Sequence, residues 1–273
     1  MLKKIILTLS LLPSLVFANE SFVPSDEFKK TIATYLTPSF VKTATYFKAE
    51  LGFIGVGVVT NQYKKMVFYT DETASFLING NLINTSSGEQ LTAKYNSEIA
   101  LDLSDIANEF EGAKGFVQGE GENTVYVVVD ANCGYCHKTY QSFQAQLAKS
   151  NKNLKIKWVP VGFLGEDSLN KGNIMASATD NDEGLALMKD FMSRSSAKTN
   201  SAVTAEGQAM LSNNALIMQK YGYNGVPLVV SKVDGEWFLF NGLPRPNYFA
   251  KLSEAIETAD VAKNNITQTT LVN

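Results

Sequence analysis

The sequence predicts an α/β chain in two domains, a helix with a small antiparallel sheet followed by an α/β domain that carries a helical insertion. Three observations lead there. Residues 44–92 fall into short apolar runs separated by turn residues, Thr124–Val129 is an almost unbroken β-branched run, and the order from that run onward is strand, helix, strand, helices, hairpin, helix. A chain of 273 residues, 45% of them hydrophobic, holds enough apolar material for two packed cores.

The first residues, MLKKIILTLSLLPSLVFANE, read as a secretory signal peptide over 1–18. Lys3 and Lys4 supply the positive start, Ile5 to Phe17 the apolar stretch, and Val16-Phe17-Ala18 the small-x-small cleavage form. An uncleaved anchor is the alternative, but the run is shorter than the roughly 20 residues a spanning helix needs. Removing 18 residues from 273 leaves 255, with 22 Lys and Arg against 27 Asp and Glu, a net charge of -5. Such an acidic chain does not attract nucleic acid or an anionic membrane surface.

A first domain is expected over 19–95. Ser25 precedes a helical pattern in which Phe28, Ile32 and Tyr35/Leu36 share a face, Asp26 and Glu27 occupy the first turn, and Pro38 ends it. Five strands follow, 44–51, 52–60, 64–70, 74–78 and 81–85, with a hairpin turn at Asn79-Gly80-Asn81. Over 97–111, Ile99, Leu103, Ile106 and Phe110 recur at helical spacing and Gly112 follows as a stop, so 96–114 reads as a helix connecting the domains. One more core helix is the alternative. Segment 91–130 holds eight acidic residues and two lysines, which gives this helix an acidic, solvated face.

The second domain is expected over 115–262. After a loop at 120–123, the run 124–129 suits a strand buried on both faces. A turn at Asp130-Ala131-Asn132 leads into a helix with Cys136, Tyr140, Phe143 and Leu147 on one stripe. Residues 154–161 form a second strand, 165–221 a helical insertion, 228–231 and 236–241 a hairpin about Asp234-Gly235, and 247–258 a last helix with Phe249, Leu252 and Ile256 inward. The polar stretch 263–273 reads as a loose tail.

Cysteine usage points to chemistry. The chain has two cysteines, spaced as Cys133-Gly134-Tyr135-Cys136. A disulfide across so short a loop removes little entropy from the unfolded chain, so it is poorly suited to holding a fold together. At the start of a helix, unpaired N–H groups and the positive end of the dipole favour thiolate over thiol. Cys133, outermost at the turn, is therefore the candidate nucleophile, and Cys136, one turn inward, the resolving thiol.

Two rival uses of this motif are open. A metal half-site is one, although two cysteines and a single histidine cannot fill a zinc tetrahedron without a carboxylate. The other is covalent c-type haem attachment, since Cys133 to His137 spells C-x-x-C-H with His137 as an axial ligand. Against haem, the motif sits at a strand-to-helix turn of an α/β pattern. Neither metal nor cofactor is expected. A second constellation is Gly225-Val226-Pro227 before a strand. It invites a cis peptide bond that leaves the Val226 backbone able to pair with an extended substrate, the alternative being an ordinary trans proline.

VYVVVDANCGYCHKTY, WVPVGFLGEDS, GVPLVV, NGLPRPNYFAKL and, with lower specificity, MVFYTDETASFLINGNLINTSSG together resemble the periplasmic disulfide isomerase family of DsbC and DsbG, closer to DsbG. The resemblance spans the chain after the signal segment. It implies a periplasmic homodimer with a cystatin-like N-terminal dimerisation domain, a linker helix and a thioredoxin-fold catalytic domain. Within the site it implies Cys133 as nucleophile, Cys136 as resolving cysteine, Gly134 and Tyr135 as the dipeptide between them, and Val226 and Pro227 as the substrate-binding segment opposite. A reduced resting pair, a membrane electron donor similar to DsbD, and exported substrates with wrong disulfides or sulfenylated cysteines follow from the same likeness.

Two positions depart from the family. Val226 stands where threonine is usual, valine there being seen in oxidases of the DsbA type. The additional cysteine pair of DsbC is lacking, which favours the DsbG-like branch. Three activities stay open at this point: isomerase or reductase, disulfide-donating oxidase, and holdase chaperone or binding module with secondary thiols.

Overall fold

A computed structural model of the chain describes residues 20–121, 124–149, 153–193 and 202–270. The expected signal peptide lies outside the described residues. The chain divides into two compact units, Met1–Ala100 and Leu101–Asn273. No helix among the described residues is long and apolar enough to cross a membrane.

In the first unit, helix α1 (Asp26–Tyr35) is capped as its sequence dictates, the Ser25 hydroxyl accepting the Phe28 N–H at 3.1 Å. Phe28, Ile32 and Leu36 are buried, whereas Tyr35 points to solvent. Strands β1 (Val41–Lys48), β2 (Ile54–Thr60), β3 (Lys65–Thr70) and β4 (Ile78–Asn79) form one antiparallel sheet in that order. β2 is buried along its whole length. The α1 side chains pack with Ile54, Val56, Val58 and Phe68, while Tyr95 of helix α2 (Leu91–Glu98) meets the rings of Phe47 and Tyr69.

The end of this sheet departs from the sequence reading. Of residues 74–85 only the two-residue β4 pairs as a strand, and 81–85 retains a single bridge, Ile83 to Gln90. The chain reverses at Asn84, not at Asn79-Gly80-Asn81. The Asn84 carbonyl accepts the Gly88 N–H at 2.7 Å, and its side chain accepts the N–H groups of Ser86 and Ser87. Thr92 takes the Leu82 N–H at 2.7 Å, fastening this stretch to α2 instead of to a neighbouring strand.

The connector expected as one helix is two, α2 and α3 (Ser104–Gly112), with Ile99 in extended backbone between them. Ile99 and Leu103 are both buried, but at the close of one unit and the start of the next. Asp102 accepts the Ser104 N–H at 2.9 Å and so starts α3.

The second unit is built on a five-stranded sheet. Its strands are β5 (Phe116–Gly119), β6 (Thr124–Asp130), β7 (Lys155–Val161), β8 (Leu228–Val233) and β9 (Glu236–Asn241), ordered β5-β7-β6-β8-β9. β6 and β7 run parallel and the other pairings are antiparallel. The β-branched run therefore occupies the central strand, as its composition requires. Helix α4 (Gly134–Leu147) crosses from β6 to β7. Its Tyr140 and Phe143 close on Trp158 of β7 at 4.9 and 6.0 Å between ring centroids.

The insertion is three helices among the described residues, α5 (Glu166–Ala176), α6 (Asn181–Met192) and α7 (Ala205–Lys220). It is sewn to the sheet at three points. A Cβ at Gly184 would lie 2.0 Å from the Phe116 ring, so α6 can approach β5 only without a side chain there. Asn181 gives both halves of its amide to the edge strand, accepting the Val117 N–H at 2.7 Å and donating to the Val117 carbonyl at 2.9 Å. Buried Asn214 donates to the carbonyls of Lys114 and Pro160 at 2.9 and 2.8 Å. The last helix, α8 (Pro246–Thr270), runs past its expected end at 258, and 263–270, expected as loose tail, is helical, since neither glycine nor proline follows Pro246 to stop it.

Candidate active site

The two cysteines sit where the central strand meets α4. Cys133 is the N-cap of that helix: its N–H donates to the Asp130 carbonyl at 3.1 Å, and its carbonyl accepts the His137 N–H at 3.1 Å. The Cys133 sulfur accepts the backbone N–H of Cys136 at 3.2 Å, the bond a helix N-cap makes, here to sulfur. Both thiols are free. Cys136 is fully enclosed, on the same inward stripe as Tyr140 and Phe143. Cys133 is also largely covered, at 7% exposure, more than its outermost place at the turn implied. Tyr135 beside it stands 58% exposed, with the Lys138 ammonium 5.4 Å from its ring centroid.

The surroundings separate the two thiols. Cys133 is held down to about 6, first by the hydrogen bond from the Cys136 thiol and then by the N–H groups of Cys136 and Tyr135; burial and the Asp130 charge oppose this. Cys136 is pushed far up, chiefly by burial and then by its hydrogen bond to Cys133. One sulfur is prepared to be a nucleophile and its neighbour kept as a protonated donor.

Opposite the thiols, the Val226–Pro227 peptide bond is cis. The Cys133 thiol donates to the Val226 carbonyl at 3.4 Å, so the segments 133–136 and 226–227, read from the sequence as separate constellations, meet at one point. Behind them Pro227 is fixed by the Gly242 N–H, which reaches its carbonyl at 2.7 Å.

His137 is not arranged as a haem ligand. Its ring is buried, with Nε2 engaged by the Ala131 carbonyl at 2.7 Å. No cluster of three or more potential metal ligands occurs among the described residues.

Sequence reading missed the role of Asp130, which it saw only as part of a turn. Its carboxylate is fully buried and accepts four donors: the N–H of Asn132 at 2.8 Å, those of Phe163 and Leu164 at 2.7 and 3.2 Å, and the Ser168 hydroxyl. A carboxylate at the end of an otherwise apolar strand was the available signal.

A sheet that places a CxxC pair at the start of a helix, facing a cis-proline segment, can be compared with known proteins. The profile of the thioredoxin-like domain matches residues 111–257, just over half of the chain. The chain belongs to the thioredoxin-like family. Its class is that of thiol–disulfide oxidoreductases, and Cys133 and Cys136 are the only sulfur pair it has for that exchange.

Among solved structures, this thioredoxin-like protein is similar to a linker-deletion mutant of Proteus mirabilis ScsC, with 17% identity over 57% of this chain and 80% of that one, TM-score 0.48. A periplasmic thioredoxin-like protein from Salmonella enterica serovar Typhimurium gives 17% identity over 57% and 98%, TM-score 0.47. A disulfide interchange protein from Neisseria gonorrhoeae gives 18% over 52% and 94%, TM-score 0.40. No curated protein matches the sequence.

Proposed function

We propose that the protein is an exported, periplasmic disulfide isomerase or reductase of the DsbC and DsbG kind, with Cys133 as nucleophile and Cys136 as resolving cysteine. The observation that carries the reading is the division of labour between the sulfurs. Cys133 receives the Cys136 N–H at 3.2 Å at a helix N-terminus, while Cys136 is enclosed and protonated.

The chemistry follows from that division. The Cys133 thiolate attacks one sulfur of a wrong disulfide, forming a mixed disulfide and releasing the other substrate sulfur as thiolate. That thiolate can attack a different substrate disulfide, and the thiolate released there attacks the mixed disulfide and expels Cys133, which completes isomerisation without net electron transfer. Alternatively Cys136 gives up its proton and attacks the Cys133 sulfur. The substrate then leaves reduced and the Cys133–Cys136 disulfide remains, so a membrane dithiol donor similar to DsbD must return two electrons. Attack on a sulfenylated cysteine enters the same cycle, with water leaving as the mixed disulfide forms. The backbone at Val226 and Pro227 is the segment a substrate strand pairs with, and Gly134 and Tyr135 form the rim it crosses. Resemblance of the N-terminal segment to the family supports a homodimer formed through the first unit, with a holdase contribution from the same assembly.

A second reading, a disulfide-donating oxidase, is favoured by Val226 before the proline. The two are separated by reactivation of a scrambled multi-disulfide protein with a trace of thiol reductant, run beside Cys133→Ala. Reactivation by the wild type and none by the variant is expected. Reactivation that survives in Cys133→Ala sinks the thiol mechanism and leaves the holdase. Failure of the wild type, with the pair still exchanging with glutathione, rejects the isomerase and leaves a narrow reductase or an oxidase.

A further inference from the structure

From the arrangement beneath the cysteine turn we infer that Asp130 is a positioning residue: its buried carboxylate ties that turn to the start of the helical insertion, and its charge keeps the Cys133–Cys136 couple reducing. This rests on the exchange chemistry proposed above, and it bears on the direction that Val226 leaves open.

The geometry comes first. Asp130 is at the last position of β6, three residues before the nucleophile, and it acts through both its main chain and its side chain. The backbone carbonyl holds the Cys133 N–H. One carboxylate oxygen holds the Asn132 N–H, shaping the turn that delivers Cys133, and the other gathers Phe163, Leu164 and Ser168 from the segment leaving β7. A second tie runs parallel at the surface. The Asn132 side chain donates to Asp167 at 2.9 Å and accepts from Lys171 at 2.9 Å, and Lys171 also pairs with Asp167 at 2.6 Å. The first turn of α5 is thus fastened to the cysteine turn through two neighbouring residues, Asp130 inside and Asn132 outside.

The charge has a direction of its own. Every group that reaches the Asp130 carboxylate is a donor, which is the company an ionised carboxylate needs. A buried anion so close to Cys133 disfavours the thiolate, and it opposes ionisation of both cysteines. A couple whose reduced thiolate is less stabilised is a weaker oxidant. The other ionisable groups around the turn are His137 and Lys138 on α4, and Glu166, Asp167 and Lys171 on α5. Asp167 and Lys171 largely cancel as an exposed pair, and Val226 and Pro227 offer a carbonyl but no charge. Asp130 is the enclosed anion of the set.

The test uses the full chain with Asp130→Asn and Ser168→Ala. Cys133 is titrated by thiolate absorbance near 240 nm, and the couple is equilibrated with glutathione. Asp130→Asn removes the charge and keeps an acceptor for Asn132. Its Cys133 titration is expected at lower pH, and its equilibrium at pH 7 is expected to move toward the dithiol by roughly three- to tenfold. Ser168→Ala keeps the charge and removes one donor that screens it, so the titration should move the other way, to higher pH. A purely structural Asp130 loosens the turn without this pair of opposite shifts. An Asp130→Asn protein that folds with an unchanged titration and glutathione equilibrium overturns the proposal. Should that variant not fold, Ser168→Ala decides alone, and a downward shift or none overturns it. Failure of the isomerase assay with these opposite shifts intact would reject the isomerase reading and leave Asp130 in place.

Discussion

Depressing the Cys133 thiol makes the stability of the reduced protein depend on pH in a window that can be stated in advance. The folded value is about 6, and an unfolded cysteine titrates near ~8.5. Between these values the unfolded chain binds a proton that the folded chain has released, so stability rises with pH. It is absent below the folded value and complete above the unfolded one. From the two values, the gain is about 1.4 kcal/mol at pH 7 and about 3 kcal/mol at pH 8.5 before solvent screening; partial access of the sulfur to water brings these to roughly half. Above ~8.5 the sign reverses. Cys136, pushed up by burial, stays protonated in the folded state while the unfolded thiol ionises, at a cost of about 1.36 kcal/mol per pH unit. The assay is urea unfolding under reductant at pH 5.5, 7, 8.5 and 9.5, followed by fluorescence of buried Trp158, for the wild type and Cys133→Ala. The wild-type midpoint, less that of the variant, should climb to pH 8.5; the variant itself should fall beyond it. Parallel profiles for the two proteins would refute the claim that the fold stabilises the Cys133 thiolate.

Two further outcomes concern the insertion. Gly184→Ala forces a Cβ to within 2.0 Å of the enclosed Phe116 ring, an overpacking that should cost about 1–3 kcal/mol and lower the melting temperature of the second unit. Asn181→Ala removes two hydrogen bonds from the edge strand, worth about 1–2 kcal/mol together, and should raise light scattering on heating because Val117 then presents an unpaired N–H and C=O. A melting temperature within half a degree of wild type in either variant would contradict the packing described.

The second unit was legible wherever a run of residues answers to one environment. Thr124–Val129 is β-branched because the central strand is covered on both faces, and the stripe from Cys136 to Phe143 faces inward because α4 lies flat on that sheet. β5 was not legible: it has four residues, only Phe116 is fully buried, and its outer edge is satisfied by a side chain 64 positions away. The break between α2 and α3 was hidden because Ile99 and Leu103, both buried, keep helical spacing across an extended segment. At the site, the sequence named both sulfurs and the proline. That the two face each other came only from the family resemblance; residue patterns alone left them apart, since Cys133 and Val226 are 93 positions from each other and come together only through the sheet. Asp130 reads as an ordinary turn residue until its four donors, three of them more than thirty positions away, are brought to it.

Asn214 gives the insertion a significance that its place in the chain order conceals. Its amide donates at once to Lys114, in the turn that leads into β5, and to the penultimate residue of β7, so a single helical side chain satisfies a carbonyl of one strand and one in the approach to another. Excising α5 to α7 to obtain a minimal redox domain would therefore strand two acceptors inside protein, and the edge strand would lose Asn181 with them. Attempts to shorten or transplant this catalytic unit should treat the sheet and its three helices as one indivisible part.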